Sequence, residues 1–329
     1  MSFLGPQLRA YLEFMVAMGY SSFGNSFHRS LARDLDYYLV FRSVAKVKEI
    51  DEGLVANWMH AVASLAPGSK NQKLRFARGF LRHLARQGLA RDNPAERIPY
   101  LKFADPKPHI YTLLEIHEIL QEAGRYKRKH PGSLLGWTLE TMILLIYACG
   151  LRISEALNLR IKDVDFTENT LSLWRTKFHK ERLVPFSPVV AKKLAAYLAV
   201  RDKHRPPSGT EEPFFPSRAG KYHRSTIEHH FRKILVRCGL AKPKGRGAPR
   251  IHDLRHAFAV HRLYKWYQDG CDPLNKLPLL STYMGHVNIE STQFYLTITQ
   301  ALLREGDRRF QTGFEGVVDK VLRRALDNP

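Results

Sequence analysis

Four short segments of this chain hold the residue types that could handle a phosphate group. In chain order they are residues 150–155 (GLRISE), 176–182 (TKFHKER), 251–256 (IHDLRH) and 284–286 (MGH), and Tyr295 follows nine residues after the last. Each segment alone has an ordinary explanation, such as a salt bridge within GLRISE. Among other residues they supply two arginines, two histidines, a lysine and a tyrosine that could act together, without an obvious acidic cluster for Mg²⁺. Such a set suits the breakage of a phosphodiester without a metal ion.

Each of these residue types has a task in phosphoryl transfer. The transition state spreads negative charge over the non-bridging oxygens, which the guanidinium groups of Arg152 and Arg255 could bind through forked hydrogen bonds. A tyrosine hydroxyl, with an ordinary pKa of about 10, becomes a nucleophile when a base and nearby cations help it to ionise. Lysine can protonate a departing alkoxide, and histidine titrates near neutrality.

In this combination the chain resembles the tyrosine recombinase (phage integrase) family, whose signature is Arg, Lys, His-x-x-Arg, His or Trp, and Tyr in that order. The stretches GLRISEALNL, TKFHKERLVPF, HDLRHAFA and LLSTYMGHVNIESTQFY carry the resemblance, which covers about residues 110–300. The resemblance implies a mainly α fold with a small antiparallel β-sheet: a helical core-binding (SAM-like) domain followed by the DNA breaking–rejoining catalytic domain.

The resemblance also implies a role for each residue of the signature. Arg152 and Arg255 would hold the scissile phosphate. Tyr295 would attack it, leaving the protein joined to a DNA 3′-phosphate and releasing a 5′-hydroxyl. Lys177, on the β-hairpin, would be the general acid for that hydroxyl, and His252 would assist proton transfer at Tyr295.

Three further positions complete this expected site. His286 would donate a hydrogen bond to the phosphate, and Glu155 would orient the arginine and histidine side chains. His256 is interpreted as a packing residue or a DNA contact. The bond energy is conserved in the phosphotyrosine, so we expect no ATP, no metal and no other cofactor.

The general acid leaves one alternative open. In this family a glycine often follows the hairpin lysine, whereas Phe178 and His179 follow Lys177 here. Lys177 fits better by its distance to the segment ERLVP, and Lys180 remains the second candidate.

Two basic segments predict contacts with a nucleic-acid backbone. One is a helix with six basic residues and no acid between residues 70 and 86, and the other is the loop 241–250. The predicted contacts are Lys70, Lys73, Arg75, Arg78, Arg82, Lys242, Lys244, Arg246 and Arg250.

Composition agrees with a polyanionic partner. The 329 residues include 52 Lys and Arg against 31 Asp and Glu, a formal net charge of +21, and such a surface attracts nucleic acid. The three cysteines lie far apart without a CxxC pattern, which argues against a disulfide framework or a zinc ribbon. No signal peptide is apparent, and the longest apolar stretch, 142–149, is too short to span a bilayer. We therefore expect no membrane partner and a cytoplasmic, nucleoid-associated bacterial protein.

Periodicity and capping signals predict the helices and strands that carry the candidate site residues. Helices are predicted at 8–18, 25–39, 51–62 with Asp51 as its cap, 69–88 with Ser69 as its cap, 112–123 with a Thr112–Glu115 capping box, 137–149, 154–159, 188–202, 225–238, 253–267, 273–284, 290–298 and 316–326. Strands are predicted at 164–166, 170–175 and 182–185.

The segment 103–109, with two prolines, reads as a linker. It divides the chain into a helical core-binding DNA-binding domain, 1–105, and a catalytic integrase domain, 106–329. The tail at about 300–329 would dock on a neighbouring protomer.

The expected function is site-specific recombination of double-stranded DNA through a 3′-phosphotyrosyl intermediate and a Holliday junction, moving a mobile element by integration or transposition. The protein would be a monomer or dimer when free and a tetramer in the synapse, alone or with sister recombinases. The alternatives are a type IB topoisomerase-like relaxase and a catalytically silent DNA-binding accessory protein.

Overall fold

A computed structural model describes residues 2–20, 26–103, 108–129, 133–174, 181–218, 220–241 and 248–285, together with Thr292 and Tyr295. The chain divides into two compact units, Met1–Asp105 and Pro106–Pro329. Each unit has its own hydrophobic core.

All regular secondary structure in the described residues of the first unit is helical. Its helices are α1 (Gly5–Ala17), α2 (Ser26–Phe41), α3 (Glu52–His60) and α4 (Pro67–Arg86), with short 3₁₀ turns at Val47–Glu49 and Pro94–Arg97. Asp51 caps α3 by accepting a hydrogen bond from the Leu54 amide, as predicted. The predicted Ser69 cap is wrong, because α4 already begins at Pro67, which suits the first helical position.

In the residues that the structure describes, the second unit combines seven named helices with two small sheets. Its helices are α5 (Leu113–Lys129), α6 (Leu134–Ala148), α7 (Ile153–Asn158), α8 (Pro188–His204), α9 (Arg224–Arg237), α10 (Asp253–Gln268) and α11 (Pro273–Met284), with a 3₁₀ turn at Ile161–Asp163. Helix α6 is apolar on most of its faces and contacts α5, α8 and α10, so it forms the centre of the core.

The three predicted strands form one antiparallel sheet in the order β1 (Val164–Asp165), β2 (Thr170–Leu173) and β3 (Arg182–Pro185). Leu171 pairs with Val184, and both are buried. Strand β2 ends two residues earlier than predicted. A second sheet, β4 (Pro216–Ser217) with β5 (Gly220–Lys221), was not predicted because two-residue strands leave no periodic pattern.

The capping box at the start of α5 is confirmed. The Thr112 amide donates to Glu115 Oε2 at 2.7 Å, and the Glu115 amide donates to Thr112 Oγ1 at 3.2 Å. The helix itself continues to Lys129, beyond the predicted end at 123.

Several predicted features lie outside the described residues. They are the hairpin turn at 177–180, the helix at 316–326, the tail at 300–329 and all of the helix at 290–298 except Thr292 and Tyr295, which are helical. In the described part of the chain, no helix is long and apolar enough to cross a membrane.

Candidate active site

A buried glutamate lies at the centre of the site. Glu155 is in the first turn of α7, and its carboxylate accepts from the Arg152 amide at 2.8 Å and from Arg152 Nη1 at 2.8 Å. The helix dipole disfavours an arginine at a helix start. Here the carboxylate three residues later compensates, so the salt bridge that the i, i+3 spacing suggests is present.

A third arginine, which the sequence analysis missed, binds the same carboxylate. Arg182, the first residue of β3, donates Nη1 to Glu155 Oε1 and Nη2 to Glu155 Oε2, both at 2.9 Å, and Nε to the Tyr283 carbonyl at 2.9 Å. In the sheet Leu183 is exposed and Val184 is buried, so the alternation of the strand turns Arg182 inward, although the sequence of β3 shows no such alternation. An inward arginine requires an acidic partner.

These arginines hold the carboxylate in its ionised form. Burial alone would raise the pKa of Glu155, but the hydrogen bonds and charge of Arg182, the Arg152 amide and the charge of Arg255 outweigh it and lower the pKa to about 2. The cluster therefore contains three cations and one anion at neutral pH, and its net positive charge suits an anionic ligand.

Arg255 is the most buried of the three. Its side chain on α10 is 1% exposed; Nη1 donates to the Gly150 carbonyl, and Nη2 donates to the Met284 carbonyl at 2.6 Å. Nη1 lies 4.0 Å from Glu155 Oε2. Burial and then the charge of Arg152 lower the pKa of this guanidinium to about 9, which still leaves it protonated at neutral pH.

The three arginines together fix the C-terminal end of α11. Arg182, Arg255 and Arg152 donate to the carbonyls of Tyr283, Met284 and Gly285, and the last distance is 2.7 Å. These belong to the carbonyl groups that a helix end leaves without partners. Gly285 has φ +65°, and a Cβ there would lie 2.9 Å from Arg182 Nη1, so both its conformation and the close approach require glycine.

Tyr295 lies in the same unit, with its hydroxyl beside a histidine of α10. Its Oη is 2.9 Å from His256 Nδ1, and the side chain is 2% exposed. Burial is the largest effect and raises the pKa of Tyr295 above its ordinary value, and the positive charges of Arg255 and then Arg152 offset part of that rise. The arginine cluster is thus near enough to stabilise a phenolate.

His252 lies one helical turn before His256, at the N-terminal end of α10. The two imidazole rings meet edge to face with centroids 4.9 Å apart. Burial, followed by the charges of His256 and Arg255, lowers the pKa of His252 to about 3. The histidine beside the Tyr295 hydroxyl is His256, which was interpreted as a packing residue or a DNA contact. His252, which was expected to assist proton transfer at that hydroxyl, contacts the His256 ring from the preceding turn.

The structure therefore brings Arg152, Glu155, His252, Arg255 and Tyr295 into one unit around α7, α10 and the end of α11. The remaining expected residues lie outside the described part of the chain: Lys177, its alternative Lys180, His286, Lys242, Lys244 and Arg246. Among the described residues, no three His, Cys, Asp or Glu side chains gather as metal ligands.

Two of the predicted DNA contacts on α4 require correction. Lys73 is 4% exposed; it pairs with Asp34 at 2.8 Å and donates to the Trp58 carbonyl at 3.0 Å. Arg78 donates to the carbonyls of Ala95, Glu96 and Ile98 and lies 4.3 Å from the Tyr100 ring. Both cations make their bonds within the first unit, and Lys73 is buried there.

The other basic residues remain at the surface. Arg75 is exposed, Lys70 is half-buried, and Arg82 is exposed beside Glu96, to which it donates a short hydrogen bond. Arg250, with a side chain 52% exposed, donates to Asp253 at the start of α10. These four guanidinium and ammonium groups remain accessible to a polyanion.

The mostly helical fold around this cluster is that of tyrosine recombinase catalytic domains. The Tn1549 transposon integrase, solved in complex with transposon right end DNA, superposes with a TM-score of 0.63 at 17% identity, covering 92% of this chain and 99% of that one. The similarity shows a shared fold.

Sequence comparison gives the family. The phage integrase family model matches residues 113–301. A protein of Sinorhizobium fredii named integrase/recombinase y4rB is 30% identical over 320 residues, 96% of this chain and 99% of that protein. Tyrosine recombinase XerC of Oceanobacillus iheyensis is 31% identical over 244 residues, 73% of each chain. The chain belongs to the phage integrase family.

Proposed function

We propose that this member of the phage integrase family is a site-specific DNA recombinase that moves a mobile element. Tyr295 attacks a scissile phosphate in duplex DNA. The bond to the 5′-oxygen breaks, and the enzyme is left joined to the 3′-phosphate. A 5′-hydroxyl from a partner duplex then attacks the phosphotyrosine, and two such exchanges pass through a Holliday junction.

The observation that carries this proposal is the setting of Tyr295. A tyrosine that is 2% exposed has its hydroxyl beside an imidazole and within the electrostatic reach of Arg152 and Arg255. Tyrosine becomes a useful nucleophile where a base accepts its proton and cations stabilise the phenolate. The same two guanidinium groups suit the charge that develops on the non-bridging oxygens.

Three further assignments belong to the proposal. Lys177, with Lys180 as the alternative, protonates the 5′-oxygen, and His286 donates a hydrogen bond to the phosphate. Glu155 orients the arginines. The phosphotyrosine conserves the energy of the broken bond, so the reaction proceeds without ATP or metal.

The proposed partner is double-stranded DNA, bound by both basic units in the bacterial cytoplasm at the nucleoid. The net charge of +21 supports this partner. We place the exchange in a tetramer of this chain, or of this chain with sister recombinases, joined by the tail after residue 300. The helical first unit would be the core-binding domain.

The test is covalent trapping on a nicked suicide duplex, in EDTA. Because the target sequence is unidentified, the probe is a pool of nicked duplexes cut from the DNA that flanks the gene. We expect an adduct that resists denaturant, maps to Tyr295 by peptide sequencing and is absent with Tyr295→Phe. Salt-sensitive binding with no adduct would favour a silent accessory protein, and relaxation of supercoils without recombinant junctions would favour a relaxase.

A further inference from the structure

His256 of α10, and not the expected His252, lies beside the hydroxyl oxygen of Tyr295. His256 Nδ1 lies 2.9 Å from Tyr295 Oη, with ring centroids 5.5 Å apart. The tyrosine is 2% exposed, so bulk water does not surround its hydroxyl. His256 Nδ1, within hydrogen-bond distance of Oη, is therefore placed to take the proton when this hydroxyl reacts.

Burial keeps the imidazole ring of His256 neutral at neutral pH, so one of its nitrogens can accept a proton. Burial lowers the pKa of His256, the charge of Asp253 raises it, and the charges of Arg250 and Arg255 lower it, with a net value of about 4. His252 faces it edge to face from the preceding turn. A neutral imidazole has one ring nitrogen with a free lone pair, so the tyrosine donates the hydrogen bond when that nitrogen is Nδ1.

We propose that His256 is a catalytic residue, the proton acceptor for Tyr295 in the strand-cleavage step. The inference rests on the proposed function and deepens it. As Oη forms its bond to phosphorus, the hydroxyl proton moves to His256 Nδ1 and the bond from phosphorus to the 5′-oxygen breaks. That oxygen takes its proton from the general acid assigned above, Lys177 or Lys180. In the reverse step His256 returns the proton to the departing phenolate.

The neighbours of His256 fit the charge that this transfer creates. The imidazolium formed would carry a positive charge in a buried place, which is costly unless an anion lies near. Asp253, itself 1% exposed, is the carboxylate whose charge favours the protonated ring. His252 packs against the ring and holds its orientation, a positioning role.

Helix α10 also provides a matched control. His261 accepts or donates the same type of bond, from Nδ1 to the Tyr147 hydroxyl at 3.0 Å, and burial lowers its pKa to about 4 as well. A His261→Gln chain therefore loses one buried histidine–tyrosine hydrogen bond of the same helix, away from the reacting oxygen.

The experiment measures single-turnover adduct formation by the full chain on the suicide duplex described above, from pH 3.5 to 8, a range that includes the pKa of His256 at about 4. It compares His256→Gln with His261→Gln and uses two leaving groups, the natural 5′-oxygen and a bridging 5′-sulfur. A thiolate departs without a proton, so sulfur rescues the loss of a general acid and does not rescue the loss of a base. We expect His256→Gln to form adduct about 100-fold more slowly than His261→Gln on both substrates, to lose the fall in rate at acid pH, and to bind DNA equally well.

Three results would overturn the assignment. These are a His256→Gln rate within about fivefold of the control, an acid limb that persists in this variant, and a rate restored by sulfur. If His256→Gln does not fold, ¹⁵N NMR of the His256 ring replaces it. The Nδ1 signal should change in the Tyr295→Phe chain, and an unchanged signal rejects the bond. Failure of the unchanged chain to form any adduct would instead reject the recombinase function itself.

Discussion

Replacing Glu155 by glutamine tests whether one carboxylate holds the arginine cluster together. Glu155→Gln keeps the shape of the side chain and removes its charge, which leaves Arg152, Arg182 and Arg255 close together without an anion. The pKa of this carboxyl falls from its ordinary 4.5 to about 2. At about 1.4 kcal/mol for each pH unit, this amounts to roughly 3 kcal/mol of folding free energy at pH 7. Breaking a buried ion pair gives a similar figure, about 3–5 kcal/mol.

The expected loss is therefore about 3 kcal/mol, confined to the second unit. Hydrogen exchange as a function of urea, read on peptides of α6, measures the opening of that unit's core. Glu122→Gln is the matched control. Glu122 is also 8% exposed, but its partners Arg125 and Arg237 have side chains 60% and 36% exposed and stay hydrated, so its loss should be about 1 kcal/mol.

The pH dependence has a definite sign. A carboxyl with a depressed folded-state pKa stabilises the protein above its ordinary value of 4.5, and this contribution is lost as the pH falls toward about 2. The difference between the unchanged chain and Glu155→Gln should stay constant from pH 7 to about pH 5.5 and shrink below 4.5. A difference below about 1 kcal/mol at pH 7, or one equal to the Glu122→Gln control, would refute the central role given to this carboxylate.

Other substitutions separate the site from the surface. Arg182→Lys cannot donate to both oxygens of Glu155, so adduct formation should fall about tenfold or more while DNA affinity, measured by fluorescence anisotropy, stays within about twofold. Gly285→Ala would strain a left-handed residue against Arg182 and should destabilise the second unit by about 1 kcal/mol or more in the same urea experiment; no loss would contradict the close approach. Lys73→Met should destabilise the first unit by roughly 1–3 kcal/mol without changing the salt dependence of DNA binding. Arg75→Ala should leave the stability of the first unit unchanged and reduce the slope of log affinity against log salt by about 1. A reduced slope in Lys73→Met with unchanged stability would show that Lys73 is a DNA contact after all.

Local signals predicted those elements whose ends are marked in the sequence. Helix α11 was predicted with its observed bounds because Asp272 caps it, Pro273 occupies its first position and Gly285 ends it. The bond between Arg152 and Glu155 was suggested for the same reason, since the two residues are three apart on one helical turn. Strand β3 was also predicted with its observed bounds, beside a segment of the family signature.

The contacts that sequence reasoning missed join residues far apart in the chain. Arg182 and Glu155 belong to different elements, and 39 residues separate His256 from Tyr295. A periodic pattern shows which face of a helix is polar and does not show what lies opposite. The same limit explains the error at Lys73: the basic stripe of α4 looks uniform, but one of its cations meets Asp34 on another helix.

The anchoring of α11 by the arginines has a consequence for genetics and enzymology. Each guanidinium that would bind a phosphate also completes the end of the helix that precedes the tyrosine. An alanine in place of Arg152 or Arg255 therefore removes a phosphate-binding group and also a hydrogen bond that holds the C-terminal end of α11. Lost turnover in such a variant reports the sum of two defects. Added guanidinium ion can replace the missing positive charge but not the covalent link between that charge and the backbone. The part of the lost activity that guanidinium ion restores therefore measures the phosphate-binding defect alone. Because these arginines serve both the site and the fold, a substitution at either position also destabilises the end of α11. Fewer substitutions are therefore tolerated at these two positions.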